Sequence, residues 1–292
     1  MKKLLFALFL GLLAFQAAAE IRVVATVPNM GMLVRAIGGD AVQVTVLAPP
    51  DRDAHYLEAR PSMMAALRRA DLLVAVGAEL EVGWLPAALQ GAHNPRVRPG
   101  RSGYFEGAAQ VDLIQVGGAA DRGLGDVHPA GNPHYYFDPL RMAEVGRALA
   151  RRLAELDAAN ADRFEANAEG FADRARDEVE RWRSQANGAP GAVFYHKDAD
   201  YLAELLNVPI LGYLEPLPGI PPNARHLSEL VGTLRGREGV IIHADFQPSQ
   251  GADFLARELG WSTHQLPIQV AVDGNMDDYF ALVQRWVEAL TN

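Results

Sequence analysis

The chain has 292 residues, of which 49% are hydrophobic and none is cysteine. That length holds one large domain or two ordinary ones with a real core. A formal net charge of −9 argues against a nucleic-acid partner, and the missing cysteines exclude disulfides and thiolate metal sites.

In chain order, Lys2 and Lys3 precede a short apolar run, and Ala17, Ala18 and Ala19 stand before Glu20. Residues 1–19 are read as a secretory signal peptide cleaved near Ala19–Glu20, since the run is too short for a comfortable transmembrane helix. No cysteine follows the cleavage point to carry a lipid. The mature protein is therefore expected to be a soluble periplasmic monomer.

Residues 21–27 form a continuous apolar run rich in β-branched side chains, the pattern of a parallel strand buried on both faces. Residues 30–37 read as a helix ended by Gly38-Gly39, and residues 42–47 as a second strand broken by Pro49-Pro50. Ser62 is placed as the cap of a helix running to Arg69, and residues 71–77 read as a third strand. This alternation predicts a doubly wound α/β lobe over residues 20–139. Residues 140–188 change character. Val145, Leu149, Leu153 and Leu156 make one apolar stripe at helical spacing, and Phe164, Phe171, Ala175 and Val179 make another. This segment is read as a long rigid linking helix, broken only near Asp157-Ala158-Ala159-Asn160. Residues 189–292 repeat the strand–helix pattern and close with an amphipathic helix over 275–290. The predicted fold is thus two doubly wound α/β lobes joined by a long rigid linking helix.

Three histidines sit where such a fold would bring side chains together. His55 follows the second strand, His134 lies in Asn132-Pro133-His134-Tyr135-Tyr136-Phe137-Asp138-Pro139, and His196 ends a strand of the second lobe. Ligands of α/β sheets bind beyond the carboxyl ends of the strands. Imidazole is also the commonest protein ligand for zinc. Three imidazoles from distant segments point to a metal site made by the fold. Elsewhere, His243 reads as a packing histidine, as do His93, His226 and His264 nearer the surface. His128 lies in a short Gly-rich loop with Asp121 and Asp126, read as a lid with at most a transient metal contact.

Several ordered motifs carry a resemblance. They are His55 with Arg60-Pro61-Ser62, the run Arg69-Ala70-Asp71-Leu72-Leu73-Val74-Ala75-Val76-Gly77-Ala78-Glu79-Leu80-Glu81, and Pro133-His134 with Asp138-Pro139. Leu156-Asp157-Ala158-Ala159-Asn160, Phe164-Glu165-Ala166-Asn167-Ala168, His196 and Tyr201 complete the set. With these the chain resembles the metal-specific substrate-binding proteins of ABC importers, in the zinc/manganese group, over essentially the whole mature length. The resemblance implies one metal in the cleft between lobes, with His55 and His134 from the first lobe and His196 from the second. A histidine at position 196 resembles the zinc binders rather than the manganese binders. Many relatives place an aspartate before the last helix, where this chain reads His264-Gln265-Leu266-Pro267. Asp245 is then the first candidate for a fourth ligand, Glu215 the second, and water the third. The implied function is high-affinity capture of Zn2+ and its delivery to an inner-membrane ABC permease, with an accessory metallochaperone as a further conceivable partner.

The rival reading is an exported zinc-dependent hydrolase using the same three histidines. It lacks a His-Glu-x-x-His helix and a nucleophile elbow in this sequence. An adhesive role has no support beyond surface charge.

Overall fold

A computed structural model describes residues 20–117 and 127–291. The signal peptide assigned to residues 1–19, and Asp121 and Asp126 of the Gly-rich loop, lie outside the described residues.

The first lobe begins β1 (Ile21–Ala25), α1 (Pro28–Gly38) and β2 (Val42–Val46), then α2 (Pro61–Arg69) and β3 (Leu72–Ala75). It continues with α3 (Leu85–Ala92) and β4 (Tyr104–Glu106). Its four strands are parallel in the order β2-β1-β3-β4. The helix expected to be capped by Ser62 starts two residues earlier, with Arg60 in the cap position. Pro61 takes its first position, where the missing N–H costs nothing, and no side chain caps it.

The second lobe comprises β5 (Ala192–Phe194), α6 (Asp200–Leu206), β6 (Ile210–Tyr213), α7 (Ala224–Leu234), β7 (Val240–Ala244), α8 (Gln250–Leu259) and β8 (Ser262–Leu266). Its order, β6-β5-β7-β8, is the same pattern, again all parallel. In both sheets the central strands are almost wholly buried, Arg22 of β1 excepted, which is why they read as predominantly apolar runs.

Between the lobes the structure refines the expected single rod. α4 (Pro139–Leu156) and α5 (Ala161–Gln185) are two helices packed against each other across a short turn at residues 157–160. Asp157 closes that turn by accepting from the backbone N–H of Ala159 and from Asn160. Arg147 of α4 pairs with Glu169 of α5 at 2.6 Å. α4 therefore belongs to the packing of the first lobe, and α5, 25 residues long, is the element that crosses. At about 1.5 Å per residue it spans roughly 37 Å. α5 packs on α1 at one end and on α6 and α9 at the other.

The last helix, α9 (Met276–Thr291), returns across the boundary. Phe280 packs on Phe171 and Trp182 of α5, and Trp286 packs on Phe137 with ring centroids 5.0 Å apart. The segment before α9 is stitched to α1. Asn29 donates to the Ile268 carbonyl and takes the Gln269 side chain on its backbone N–H, while Arg35 reaches the carbonyls of Val272 and Gly274. One buried core accordingly runs from β1 through α4, α5 and α9 to β5 and β7. Two lobes with a shared core resist wide opening, since separating them would expose its large aromatic side chains. Among the described residues no helix is long and apolar enough to cross a membrane.

Candidate metal centre

Each of the three histidines is placed by a short irregular segment at the cleft. Ala54–Tyr56 is a single 3-10 turn, and Asp53 caps it by accepting from the backbone N–H of His55 at 2.9 Å. Trp84 pins the turn by donating from its indole N–H to the Ala54 carbonyl.

His134 opens a second 3-10 turn, Tyr135–Phe137, whose three aromatic side chains are all buried. Tyr135 donates to the Val76 carbonyl, Tyr136 takes the Tyr279 hydroxyl on its carbonyl, and Phe137 rests on Trp286. Gly107 leaves room for this turn, since a Cβ there would stand 2.0 Å from the Tyr135 hydroxyl. Asp138 then caps α4, accepting from the N–H groups of Leu140 and Arg141.

His196 comes two residues past the end of β5. Glu215, from the loop after β6, reaches it from behind.

The three rings form a nearly equilateral triangle, with centroid separations of 5.3, 5.4 and 5.5 Å. One ligand atom from each lies within 4.8 Å of the others. The hydrogen bonds assign those atoms. His55 Nδ1 is 2.7 Å from the Asp53 carboxylate, His134 Nδ1 is 2.7 Å from the Tyr136 hydroxyl, and His196 Nδ1 is 2.8 Å from the Glu215 carboxylate. A carboxylate only accepts, so the Nδ1 atoms of His55 and His196 carry hydrogen, and the neutral ring offers its lone pair at Nε2. The Nε2 of His134 is buried and has no hydrogen-bond partner among the described residues. Such an orphaned nitrogen is costly unless something outside the chain satisfies it. An outer partner on the far nitrogen of each ring is the usual way metal-binding histidines are oriented.

The electrostatics suit a dication. Burial raises the Asp53 carboxyl, but the hydrogen bond and charge of His55 outweigh it and hold it below its usual range. Burial also lifts the Asp198 carboxyl, which lies 3.9 Å from His134 Nδ1 and accepts from Gln247. The His134 imidazole is pulled well below its ordinary value by burial and by the neighbouring imidazoles, so it is neutral at pH 7. Burial lowers His196 too, but Glu215, with Asp198 and Asp53, overcomes this and pushes it up to about 9.

The candidates for the fourth position are displaced. Asp245 is exposed at the end of β7 and is outside the histidine cluster. It lines a separate cleft with Asp51, Asp273 and Arg285, where its backbone N–H donates to Leu266. Burial of the cleft nonetheless raises its carboxyl. Glu215 stands behind His196, on the nitrogen that faces away from the cluster, and its carboxylate also takes the N–H of Gly219. Its position is that of an orienting group. Tyr136, from the buried aromatic turn, is the partner of His134. Asp53 and Tyr136 each stand two residues from the histidine they hold, which is the one local signal that could have found them. His243 is buried apart from the cluster, its Nδ1 3.1 Å from the Ala244 carbonyl. His128, in contrast, lines a cavity of about 230 Å³ with His134 and His196.

Two parallel α/β lobes with imidazoles gathered in the cleft between them define a metal-binding substrate-binding protein. The chain matches the family described as zinc-uptake complex component A, periplasmic, over residues 23–292, and it belongs to that family. Its members are components of transporters and not enzymes. The high-affinity zinc uptake system protein ZnuA of Yersinia pestis is 24% identical over 247 residues, which cover 79% of this chain and 78% of that protein. The manganese ABC transporter substrate-binding lipoprotein PsaA of Streptococcus mitis is 26% identical over 189 residues, covering 60% of this chain and 58% of its own. Against the metal ABC transporter substrate-binding lipoprotein ScbA of Streptococcus cristatus the match spans about half of that protein, 54%. The crystal structure of ZnuA superposes with a TM-score of 0.76 at 23% identity, covering 92% of this chain and 99% of that one. FpvC from Pseudomonas aeruginosa with Mn2+ gives 0.77 at 22%, covering 93% and 97%. These two structures share the fold. The relatives are named for zinc, for manganese and for iron, so their names assign no one metal to this chain.

Proposed function

We propose that this protein captures Zn2+ with high affinity in the periplasm, holds it with His55, His134 and His196, and delivers it to an ABC importer permease. The observation that supports this best is the convergence of three histidines whose far nitrogens are held by Asp53, Tyr136 and Glu215. Neutral imidazoles in a tetrahedral arrangement suit zinc, while manganese prefers carboxylate, carbonyl and water oxygens. The two hydrogen-bonded carboxylates, with Asp198 behind His134, balance the charge of a dication in a buried cleft. The hydrolase alternative needs a general base facing a bound water. The carboxylates nearest the cluster are turned to the outer nitrogens of the rings instead.

Calorimetric titration with zinc at pH 7 tests the reading. One ion should bind per chain and displace about one proton, because the His196 pKa of about 9 leaves that ring protonated in the free protein. The sign follows directly. A proton must leave for the metal to bind, so affinity rises with pH, by about tenfold per unit up to about pH 9, and then levels. Heats that do not vary with the ionisation enthalpy of the buffer, or affinities equal at pH 7 and pH 9, contradict the assignment of His196 Nε2 as a ligand.

A further inference from the structure

Two short segments of the first lobe, residues 111–117 and 129–132, are fastened to each other beside the metal cavity. The N–H of Gly117 donates to the Pro129 carbonyl, and that of Asn132 donates to the Ile114 carbonyl. Both segments are tied to α6 of the second lobe. The Tyr201 hydroxyl accepts from the Ile114 N–H at 3.1 Å and donates to the Asn132 carbonyl at 2.7 Å. Asn132 donates from its side chain to the Lys197 carbonyl and accepts the N–H of His134 on its side-chain oxygen.

A neighbouring tie is of another kind. Gln115 of the first lobe is inserted between two charged groups of the second. Its Oε1 accepts from the Lys197 ammonium at 3.2 Å, and its Nε2 donates to Asp200 Oδ2 at 2.6 Å. That same oxygen accepts the Tyr213 hydroxyl at 2.8 Å. Asp200 is 1% exposed, and its Oδ1 has no hydrogen-bond partner among the described residues. Burial, opposed by Gln115, Tyr213 and Lys197, raises its carboxyl to about 6, so it is ionised at pH 7. A buried carboxylate with one oxygen unsatisfied is costly, and opening to water recovers its hydration. Gln115 itself holds a φ of 58°, in the left-handed region that residues with a Cβ seldom adopt. Strong hydrogen bonds therefore close this contact while burial and backbone strain favour its release.

The contact also stands at the right place. Gln115, Asn132 and Lys197 line the cavity of about 230 Å³ together with His134 and His196. Those two histidines are 2% and 7% exposed, so the wall that Gln115 completes bears on how an ion approaches them.

We propose that Asp200 is a positioning residue that, through Gln115, clasps the first lobe to the second across the metal cavity, and that this clasp releases for zinc to enter or leave; this rests on the zinc reading above. The clasp adds no ligand and acts on rates. An ion that passes one opening in both directions is held back in both, so loosening the clasp raises association and dissociation together and changes their ratio much less.

Stopped-flow exchange of zinc alone, against a fluorescent chelator, tests this on the mature chain. Gln115→Ala, Asp200→Ala and Asp200→Asn are compared with the unsubstituted protein, and circular dichroism of the metal-free proteins checks folding. Gln115 is exposed, so Gln115→Ala keeps the test decisive if Asp200→Ala does not fold. A hydrogen bond to a charged group is commonly worth about tenfold or more in an equilibrium constant, so both rates should rise about tenfold in each alanine variant. The dissociation constant should change much less than either rate. Asp200→Asn offers an amide oxygen to the same two donors and should exchange as slowly as the unsubstituted protein. Rates unchanged in the alanine variants overturn the clasp. So does faster dissociation with association unchanged, which marks a merely structural support, and so does Asp200→Asn exchanging as fast as Asp200→Ala. An unsubstituted protein that takes up no zinc overturns the zinc reading and the clasp with it.

Discussion

Alanine at His55, His134 or His196 is expected to lower zinc affinity by roughly 10²–10³-fold. A structural zinc site contributes about 10–16 kcal/mol, which over four ligands is about 2.5–4 kcal/mol each, at 1.4 kcal/mol per decade. His134→Ala should lie at the upper end. Its Nε2 is fully buried and the space left cannot be reached freely by solvent. The outer groups should cost less. Asp53→Ala and Glu215→Ala each release one ring from its fixed tautomer and should lower affinity about 10–100-fold. Asp245→Ala should leave affinity unchanged, because that side chain lines a different cleft. Chelator competition across the six variants checks the ranking. An Asp245→Ala protein as weak as His134→Ala would contradict the ligand set.

The second large effect is discrimination between metals. Zinc should stabilise the fold far more than manganese at equal concentration, because the site offers imidazoles where manganese seeks oxygen. A thousandfold preference equals about 4 kcal/mol of extra stabilisation when both ions exceed their dissociation constants. For a chain of this size that is roughly 8–16 °C in Tm. Thermal unfolding with matched zinc and manganese measures it directly, and equal shifts would contradict a site built on three imidazoles.

The central strands were legible in the sequence because parallel strands covered on both faces are predominantly apolar. β1 reads Ile-Arg-Val-Val-Ala and β7 reads Val-Ile-Ile-His-Ala. Two of the edge strands, β4 and β8, were not legible. β4 has only three residues, and β8 reads Ser-Thr-His-Gln-Leu, a half-exposed sequence with no apolar run. α3, Leu-Pro-Ala-Ala-Leu-Gln-Gly-Ala, hid behind its proline and glycine. The linking segment was legible as helix, but its fold-back at Asp157 was a tertiary fact, set by the stripes of α4 and α5 facing each other.

At the site the three histidines were legible by their strand-end positions and by resemblance. Their orientation was not. Which nitrogen of His196 is free depends on Glu215, 19 residues away, and His128 meets His55 across 73 residues of chain. Asp245 follows a strand as His196 does, but it lines a separate cleft. The chain beyond β7 keeps pairing along β8, through the Asp245 N–H to Leu266, and this carries its carboxylate away from the cluster.

The most direct test is elemental analysis of the protein isolated from the periplasm of cells grown without added metal. About one zinc per chain, with manganese and iron at background, is the predicted result. Stoichiometric manganese or iron with zinc at background would contradict zinc capture.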